Sequence, residues 1–211
     1  MINYINYSDI DTFIIDNNKI GSGKEVDVYR YDSKVIKIFL KDRKSPIKRI
    51  SDIGLEKLTT LDLDNFNTPI DLIILDGTII GYTEKYLEED KIDFSKINFS
   101  GIKDDIYTLS QNGFCLDDIY YNYIFTSNGF YFNDMTSYTY INTNEEFLKN
   151  RFYKKNMDII NRFFIGLIEF SAFRKGSSNE YTKMYLANMY FLKYCSDTYY
   201  GDIYSQNKFH K

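Results

Sequence analysis

Two aspartates and an asparagine are grouped around a short hairpin in the second half of the chain. Asp117 and Asn122 are five residues apart and precede a strand predicted at Tyr123 to Phe125, while Asp134 follows a strand predicted at Phe130 to Phe132. Carboxylate and amide oxygens are the ligands that hard cations such as Mg²⁺ prefer. Two carboxylates and an amide oxygen near adjacent strand ends therefore suit the coordination of a hard cation, with a polar loop as the alternative for each group taken alone.

A glycine-rich turn and a lysine in the first half are suited to binding phosphate. The turn Gly21-Ser22-Gly23 joins two predicted strands, and glycine lets backbone N–H groups approach a phosphate closely. Lys37 lies in the apolar run Val-Ile-Lys-Ile-Phe, where strand alternation places it on the face opposite its two isoleucine neighbours. The alternatives are an ordinary β-turn and an edge-strand lysine that points to water.

A glutamate on the following helix is a candidate partner for this lysine. Glu56 lies on a helix predicted from Ser45-Pro46 to about Leu61. A carboxylate there would pair with Lys37 and fix its position. A solvated helix face is the alternative, because helical glutamates are mostly exposed.

In their order along the chain, these five elements resemble the signature set of protein kinases. That set contains a Gly-rich loop, a lysine strand, a helix glutamate, a catalytic loop with Asp and Asn five residues apart, and an Asp-Phe-Gly segment. The resemblance covers residues 15 to 173 and implies a minimal bacterial-type protein kinase that uses ATP and magnesium.

The chain departs from the kinase pattern at several places. Val26 replaces the third glycine of the loop, and Cys115 and Leu116 stand where the family has His and Arg. Met135 and Thr136 replace the Phe and Gly that follow the metal-binding aspartate, and no Ala-Pro-Glu segment follows. Without the arginine, we expect activity to be independent of activation-loop phosphorylation.

The resemblance implies which residues hold the nucleotide. Lys37, braced by Glu56, would contact the α- and β-phosphates beneath the turn of Gly21, Ser22 and Gly23. Adenine would lie against the backbone near Lys85 to Leu87, so Lys85 and Leu87 are expected binding residues.

The resemblance also implies which residues carry the reaction, with Lys37 and Asp117 as the catalytic pair. Asn122 and Asp134 would hold magnesium, and Asp117 would orient the attacking hydroxyl and accept its proton. The spacing to Asn122 selects Asp117 rather than Asp118. Asp158 is expected to brace the catalytic loop, unless it is only an acidic residue favoured at a helix N-terminus.

The predicted elements indicate an α+β fold with two lobes. Strands at 26–31 and 34–40, the helix that ends near Leu61, and a hairpin around Asp76-Gly77 make an antiparallel sheet lobe over residues 1–88. Helices at 102–111, 145–151, 157–173 and 180–199 make a reduced helical lobe over residues 89–211. The expected architecture is a two-lobed, protein-kinase-like fold.

Composition narrows the classes of function. The chain has 211 residues and a formal net charge of -4, so nucleic acid is not an expected partner. The one histidine, His210, lies beside the C-terminus, which argues against mechanisms that need an internal histidine. Cys115 and Cys195 lie outside any metal-ligand spacing, and we expect both to be reduced. We expect no membrane span and a cytoplasmic location, with secretion as an effector left open.

Three functions are compatible with these residues. The first is phosphoryl transfer to a protein, most readily to Ser or Thr, with Tyr as a further acceptor. The second is a small-molecule phosphotransferase that resembles antibiotic or choline kinases, and the third is a pseudokinase or interaction module. No residue pattern indicates an oligomeric state.

Overall fold

The computed structural model describes residues 2–14, 18–23, 25–40, 50–117, 119–120 and 122–173, without the side chains of 168–173. Its first half is a six-stranded sheet. The strands are β1 (Asn3–Asn6), β2 (Lys19–Ser22), β3 (Val26–Tyr31), β4 (Lys34–Phe39), β5 (Asp71–Leu75) and β6 (Thr78–Lys85). One helix, α1 (Asp52–Leu58), is inserted between β4 and β5.

The strand order is β1-β5-β6-β4-β3-β2, and every pairing except β1 with β5 is antiparallel. Asp76 and Gly77 both have positive φ, which confirms the predicted tight turn between β5 and β6. Strand β1 was not predicted, and it pairs in parallel with β5 at the edge of the sheet. β4 and β6 are therefore inner strands.

The two faces of the sheet are covered differently. One face, which carries Phe39, Leu72 and Tyr82, joins the main core together with Leu55 and Leu58 of α1. The opposite face packs a smaller cluster against the N-terminal segment. Burial on both faces, at roughly 25 cal/mol per Å² of apolar surface, stabilises the inner strands.

The second half is mainly helical. Its elements are α2 (Phe99–Gln111), β7 (Phe114–Cys115), β8 (Tyr123–Phe125), β9 (Phe130–Phe132), β10 (Thr139–Tyr140) and α3 (Glu146–Phe173). Gly113, with φ at 87°, follows the end of α2 as predicted. The expected sheet lobe followed by a helical lobe is confirmed, whereas their division at residue 88 stays a prediction.

One sequence prediction in this lobe is wrong. Two helices were expected at 145–151 and 157–173, but α3 is continuous from Glu146 to Phe173. Phe152 and Asn156 are buried on its inner side, so the polar residues between them lie on a helix surface. The helix predicted at 180–199 lies outside the described residues. No helix in the described part of the chain is long and apolar enough to cross a membrane.

A buried carboxylate fastens three strands at one end of the sheet. Asp71 of β5 accepts hydrogen bonds from Lys34 Nζ at 2.7 Å and from Thr83 Oγ1 at 2.6 Å. Burial alone would raise the pKa of Asp71, but Lys34 and Thr83 hold it below its ordinary value. The charged form of Asp71 is therefore favoured in the folded protein.

We predict that Asp71→Asn lowers the free energy of unfolding by about 2 kcal/mol near pH 7. A carboxyl group whose folded pKa is depressed stabilises the fold above its unfolded pKa, and this contribution is lost as pH falls through the folded value. Urea unfolding at several pH values measures the effect. The difference between parent and variant should shrink below about pH 4, and a difference that stays constant at lower pH would contradict the assignment.

Candidate active site

Lys37 is the buried cation at the centre of the candidate site. It lies on inner strand β4, directly opposite Tyr82 of β6, so the edge-strand alternative is wrong. Lys37 Nζ is 2.8 Å from Glu84 Oε1, and only 7% and 5% of the two side chains are exposed. Gly81 lets β6 pass close to the Lys37 carbonyl oxygen, which a Cβ would meet. The neighbouring strand therefore fixes both the backbone and the ammonium group of Lys37.

The expected pair between Lys37 and Glu56 is not formed. Glu56 Oε1 instead accepts a hydrogen bond from Tyr4 Oη at 2.9 Å. Tyr4 belongs to β1, the unpredicted edge strand, and β1 supplies a donor close to α1. Glu84 lies on the strand next to Lys37 and is the nearer carboxylate, which is why it takes the place that Glu56 was expected to have.

The electrostatics favour a charged lysine. Burial by itself would lower the pKa of Lys37, but the negative charge of Glu84, with smaller contributions from Tyr82 and Asp134, holds it well above the ordinary value. Burial raises the pKa of Glu84, and Lys37 offsets part of that rise. Lys37 is therefore an ammonium group whose principal counter-ion is Glu84.

Asp134 brings the helical half of the chain to this lysine. It follows β9 and adopts the left-handed backbone conformation, with φ at 57°. Its Oδ1 accepts a hydrogen bond from Thr136 Oγ1 at 2.8 Å and lies 3.8 Å from Lys37 Nζ. All its described contacts use Oδ1, which leaves Oδ2 for a further ligand.

Asn122 lies beside Asp134 through the pairing of β8 with β9. The backbone N–H of Asn133 donates to the Asn122 carbonyl oxygen at 3.0 Å, and Asp134 is the next residue. Among the described residues, no group of three or more His, Cys, Asp or Glu side chains is arranged to hold a metal ion. Any cation here would depend on one carboxylate, one amide and oxygens of a bound ligand.

Asp117 comes directly after β7 and the buried Leu116, with its side chain exposed. Its carbonyl oxygen accepts a hydrogen bond from Ser137 Oγ at 3.3 Å, which ties it to the turn after Asp134. Asp118 lies outside the described residues. Burial raises the pKa of the adjacent Cys115 thiol, in keeping with an unreactive cysteine.

The residue that braces this loop is Asn156 and not Asp158. Asn156 is fully buried on α3, where its Oδ1 accepts from Leu116 N–H and its Nδ2 donates to Ser110 Oγ and the Phe114 carbonyl oxygen, at 2.8, 2.9 and 3.0 Å. Asp158 is half exposed and pairs with Arg162 one turn along α3. Asn156 was missed because a single asparagine in a polar run carries no sequence signal of burial.

At the end of β6 and in the residues just after it, some backbone groups form hydrogen bonds and others do not. The Lys85 carbonyl oxygen accepts from Asn67 Nδ2 at 2.9 Å, and Tyr86 N–H donates to Ser33 O at 3.0 Å. Within the described residues, the backbone of Leu87 forms no hydrogen bond. Asn67, a buried residue that sequence reasoning missed, also donates its own N–H to Phe132 O at 2.8 Å, so it joins this segment to β9.

The turn predicted at Gly21, Ser22 and Gly23 begins later than expected, because Gly21 and Ser22 are the last residues of β2 and pair with Val28 and Asp27 of β3. Ser22 Oγ donates to Asp27 Oδ1 at 2.6 Å, and Gly23 N–H donates to Val26 O at 2.8 Å. A Cβ at Gly21 or Gly23 would meet only ordinary van der Waals contacts, at 3.8 and 3.7 Å. The packing of the turn on the protein therefore does not require glycine at either position.

Comparison with known proteins adds distant structural neighbours only. No family model and no curated protein matches the sequence. Matching solved structures include an apo pseudokinase, with 14% identity, a TM-score of 0.46 and coverage of 75% of this chain and 71% of that one. Another is a Legionella pneumophila kinase bound to IP6, with 10% identity, a TM-score of 0.35 and coverage of 83% and 88%.

The topology of this chain is that of a two-lobed, protein-kinase-like fold. The two structural neighbours add no argument to it, since their TM-scores are below 0.5. A glycine turn, a lysine strand and an inserted helix belong to one antiparallel sheet. The loop of Asp117 and the hairpin before Asp134 follow in the helical lobe, and Asp134 reaches Lys37.

We predict that Asn156→Ala lowers the free energy of unfolding by about 3 kcal/mol, because it leaves buried backbone groups without partners. The matched control is Asp158→Ala on the same helix, which should change stability by no more than about 0.5 kcal/mol. Chemical denaturation of both variants makes the comparison. A larger loss in the Asp158 variant would restore Asp158 as the brace.

Proposed function

We propose that this protein binds ATP with magnesium between its two lobes and transfers the γ-phosphoryl group to a hydroxyl, with Ser or Thr of a protein as the principal acceptor. The observation that carries the proposal is the 3.8 Å approach of Lys37 Nζ, from the sheet, to Asp134 Oδ1, from the helical lobe. A phosphate-binding cation and a metal-binding carboxylate at one place suit positioning of a nucleoside triphosphate.

The sheet lobe would hold the nucleotide. Lys37 would donate hydrogen bonds to phosphate oxygens while Glu84 keeps its ammonium in place. The turn of Gly21 and Gly23 would lie over the phosphates, a role that accounts for two glycines that the local packing does not require. The open backbone groups of Leu87 would pair with the adenine edge.

Asp134 Oδ2 and the Asn122 amide oxygen would hold the metal ion. Magnesium, when bound, would neutralise charge on the β- and γ-phosphates. Thr136 and Lys37 already hold the Asp134 carboxylate in place. The side chain therefore needs little rearrangement when the cation binds.

Asp117 would orient the acceptor hydroxyl and take up its proton. It lies on an exposed loop that Asn156 braces from below and Ser137 ties to the Asp134 segment. An exposed carboxylate on a backbone fixed by its neighbours is suited to general-base work. Asp117 makes no contribution to holding the nucleotide, so its loss should affect transfer rather than binding.

A small-molecule phosphotransferase is favoured by one observation. α3 begins at Glu146, so the segment after Asp134 contains only the turn Met135–Ser137, strand β10 and a short connection. That segment is short for docking a peptide. A small hydroxyl compound needs no such platform.

Two other observations favour a pseudokinase or interaction module. In the described residues the metal site has a single carboxylate, and the Gly23 N–H is already bonded to Val26 O. Fewer ligands for cation and phosphate would weaken nucleotide binding.

We predict that the parent transfers labelled γ-phosphate from Mg-ATP to proteins in an extract, and that Asp117→Asn slows transfer about a thousandfold. ATP affinity of this variant should be unchanged in calorimetry. Asp134→Ala should instead abolish the dependence of ATP binding on magnesium. Asp158→Asn, which alters an exposed carboxylate outside the site, is the control.

The outcomes separate the three functions. Labelling of small hydroxyl compounds but not of proteins would favour the small-molecule enzyme. ATP binding with no transfer to either acceptor would favour the interaction module. An Asp117 variant as active as the parent would refute the role of Asp117.

A further inference from the structure

We propose that Glu84 of strand β6, rather than a carboxylate of helix α1, is the residue that positions Lys37 for the phosphates of a bound nucleotide. This inference rests on the proposed function. It also has a structural consequence that holds without nucleotide: the orientation of Lys37 is set within the sheet and does not depend on where α1 lies.

Strand register makes the contact part of the sheet itself. Lys37 pairs with Tyr82 and Val35 pairs with Glu84, so Lys37 and Glu84 are diagonal neighbours on one face of β4 and β6. The close passage of β6 at Gly81 fixes the separation of the two backbones. The ladder of backbone hydrogen bonds therefore places the two side chains within reach of each other, and their charged groups are 2.8 Å apart.

The alternative carboxylate is held elsewhere by two contacts. Glu56 is bonded to Tyr4 Oη, which anchors the middle of α1 to β1. Gly54 packs so closely against Ile50 and Tyr140 that a Cβ would lie 2.6 Å from the first and 3.0 Å from the second. Pairing Glu56 with Lys37 would require breaking the bond to Tyr4, and the close packing at Gly54 restricts any movement of α1.

Glu84 is committed to this one partner. Its Oε2 is buried and has no hydrogen-bond partner among the described residues, and Lys37 supplies the counter-charge that a buried carboxylate requires. Lys37, in contrast, has three N–H donors. Lys37 Nζ lies 2.8 Å from Glu84 and 3.8 Å from Asp134, and phosphate oxygens can share its donors.

The test compares two conservative variants, Glu84→Gln and Glu56→Gln, with ligands that differ in phosphate. Calorimetry should show ADP binding weakened on the order of tenfold by Glu84→Gln, with adenosine binding changed by less than about twofold. Glu56→Gln should leave both affinities unchanged. Adenosine separates the two roles, since a merely structural defect of the cleft would weaken adenosine and ADP alike.

A nucleotide-free measurement tests the contact independently of the proposed function. NMR of the Lys37 side chain should show it ordered in the parent and in Glu56→Gln, and mobile in Glu84→Gln. Glu84→Asp, which keeps the charge but shortens its reach, is the second variant if Glu84→Gln does not fold, and it should also loosen Lys37.

Each result bears on one claim. Loss of Lys37 order in Glu56→Gln but not in the Glu84 variants would overturn the inference, and so would equal weakening of adenosine and ADP by Glu84→Gln. A parent that binds neither ligand would refute the proposed function alone, and the Lys37 order would then decide the role of Glu84.

Discussion

The buried ion pair of Lys37 and Glu84 is the constraint on which the candidate site depends. A charge in an apolar sheet is tolerated only beside an opposite charge, so β4 and β6 must keep the register that brings the two together. Removing either partner would leave the other charge buried and alone, at a cost of roughly 3–5 kcal/mol. The same pair directs an ammonium group toward Asp134, where the two halves of the chain meet.

Three buried asparagines join the chain segments that surround this ion pair. Asp105 of α2 accepts from the backbone and side chain of Asn65, and the Asn65 carbonyl oxygen accepts from Phe132 N–H. Asn67 and Asn156 likewise bridge elements that are distant in sequence. The amide of Asn156 both donates and accepts, so it satisfies backbone groups of Leu116 and Phe114. Asn65 and Asn67 instead use their side chains toward one partner and their own backbone groups toward Phe132. The bonds of Asn65 and Asn67 to Phe132 hold β9, and therefore Asp134, close to the sheet.

The sequence was sufficient for the hairpins of the sheet lobe and for the order of the two lobes, because turns and alternation are local signals, but it did not predict β1 or the continuity of α3. Asp76-Gly77 marked its hairpin, and the apolar neighbours of Lys37 marked its strand. The ion-pair partner was not predictable in this way, since Glu56 and Glu84 are both glutamates and only strand β1, with Tyr4, draws one of them away. The role of Asn156 was also not predictable from the sequence, because its burial results from a helix that continues through a polar run.

The most direct measurement is a crystal structure with magnesium and a non-hydrolysable ATP analogue. We expect phosphate oxygens to contact Lys37 Nζ while Glu84 stays within hydrogen-bonding distance of it, and Asp134 to coordinate the metal ion. Lys37 paired with Glu56, or an analogue bound away from Lys37 and Asp134, would refute these assignments.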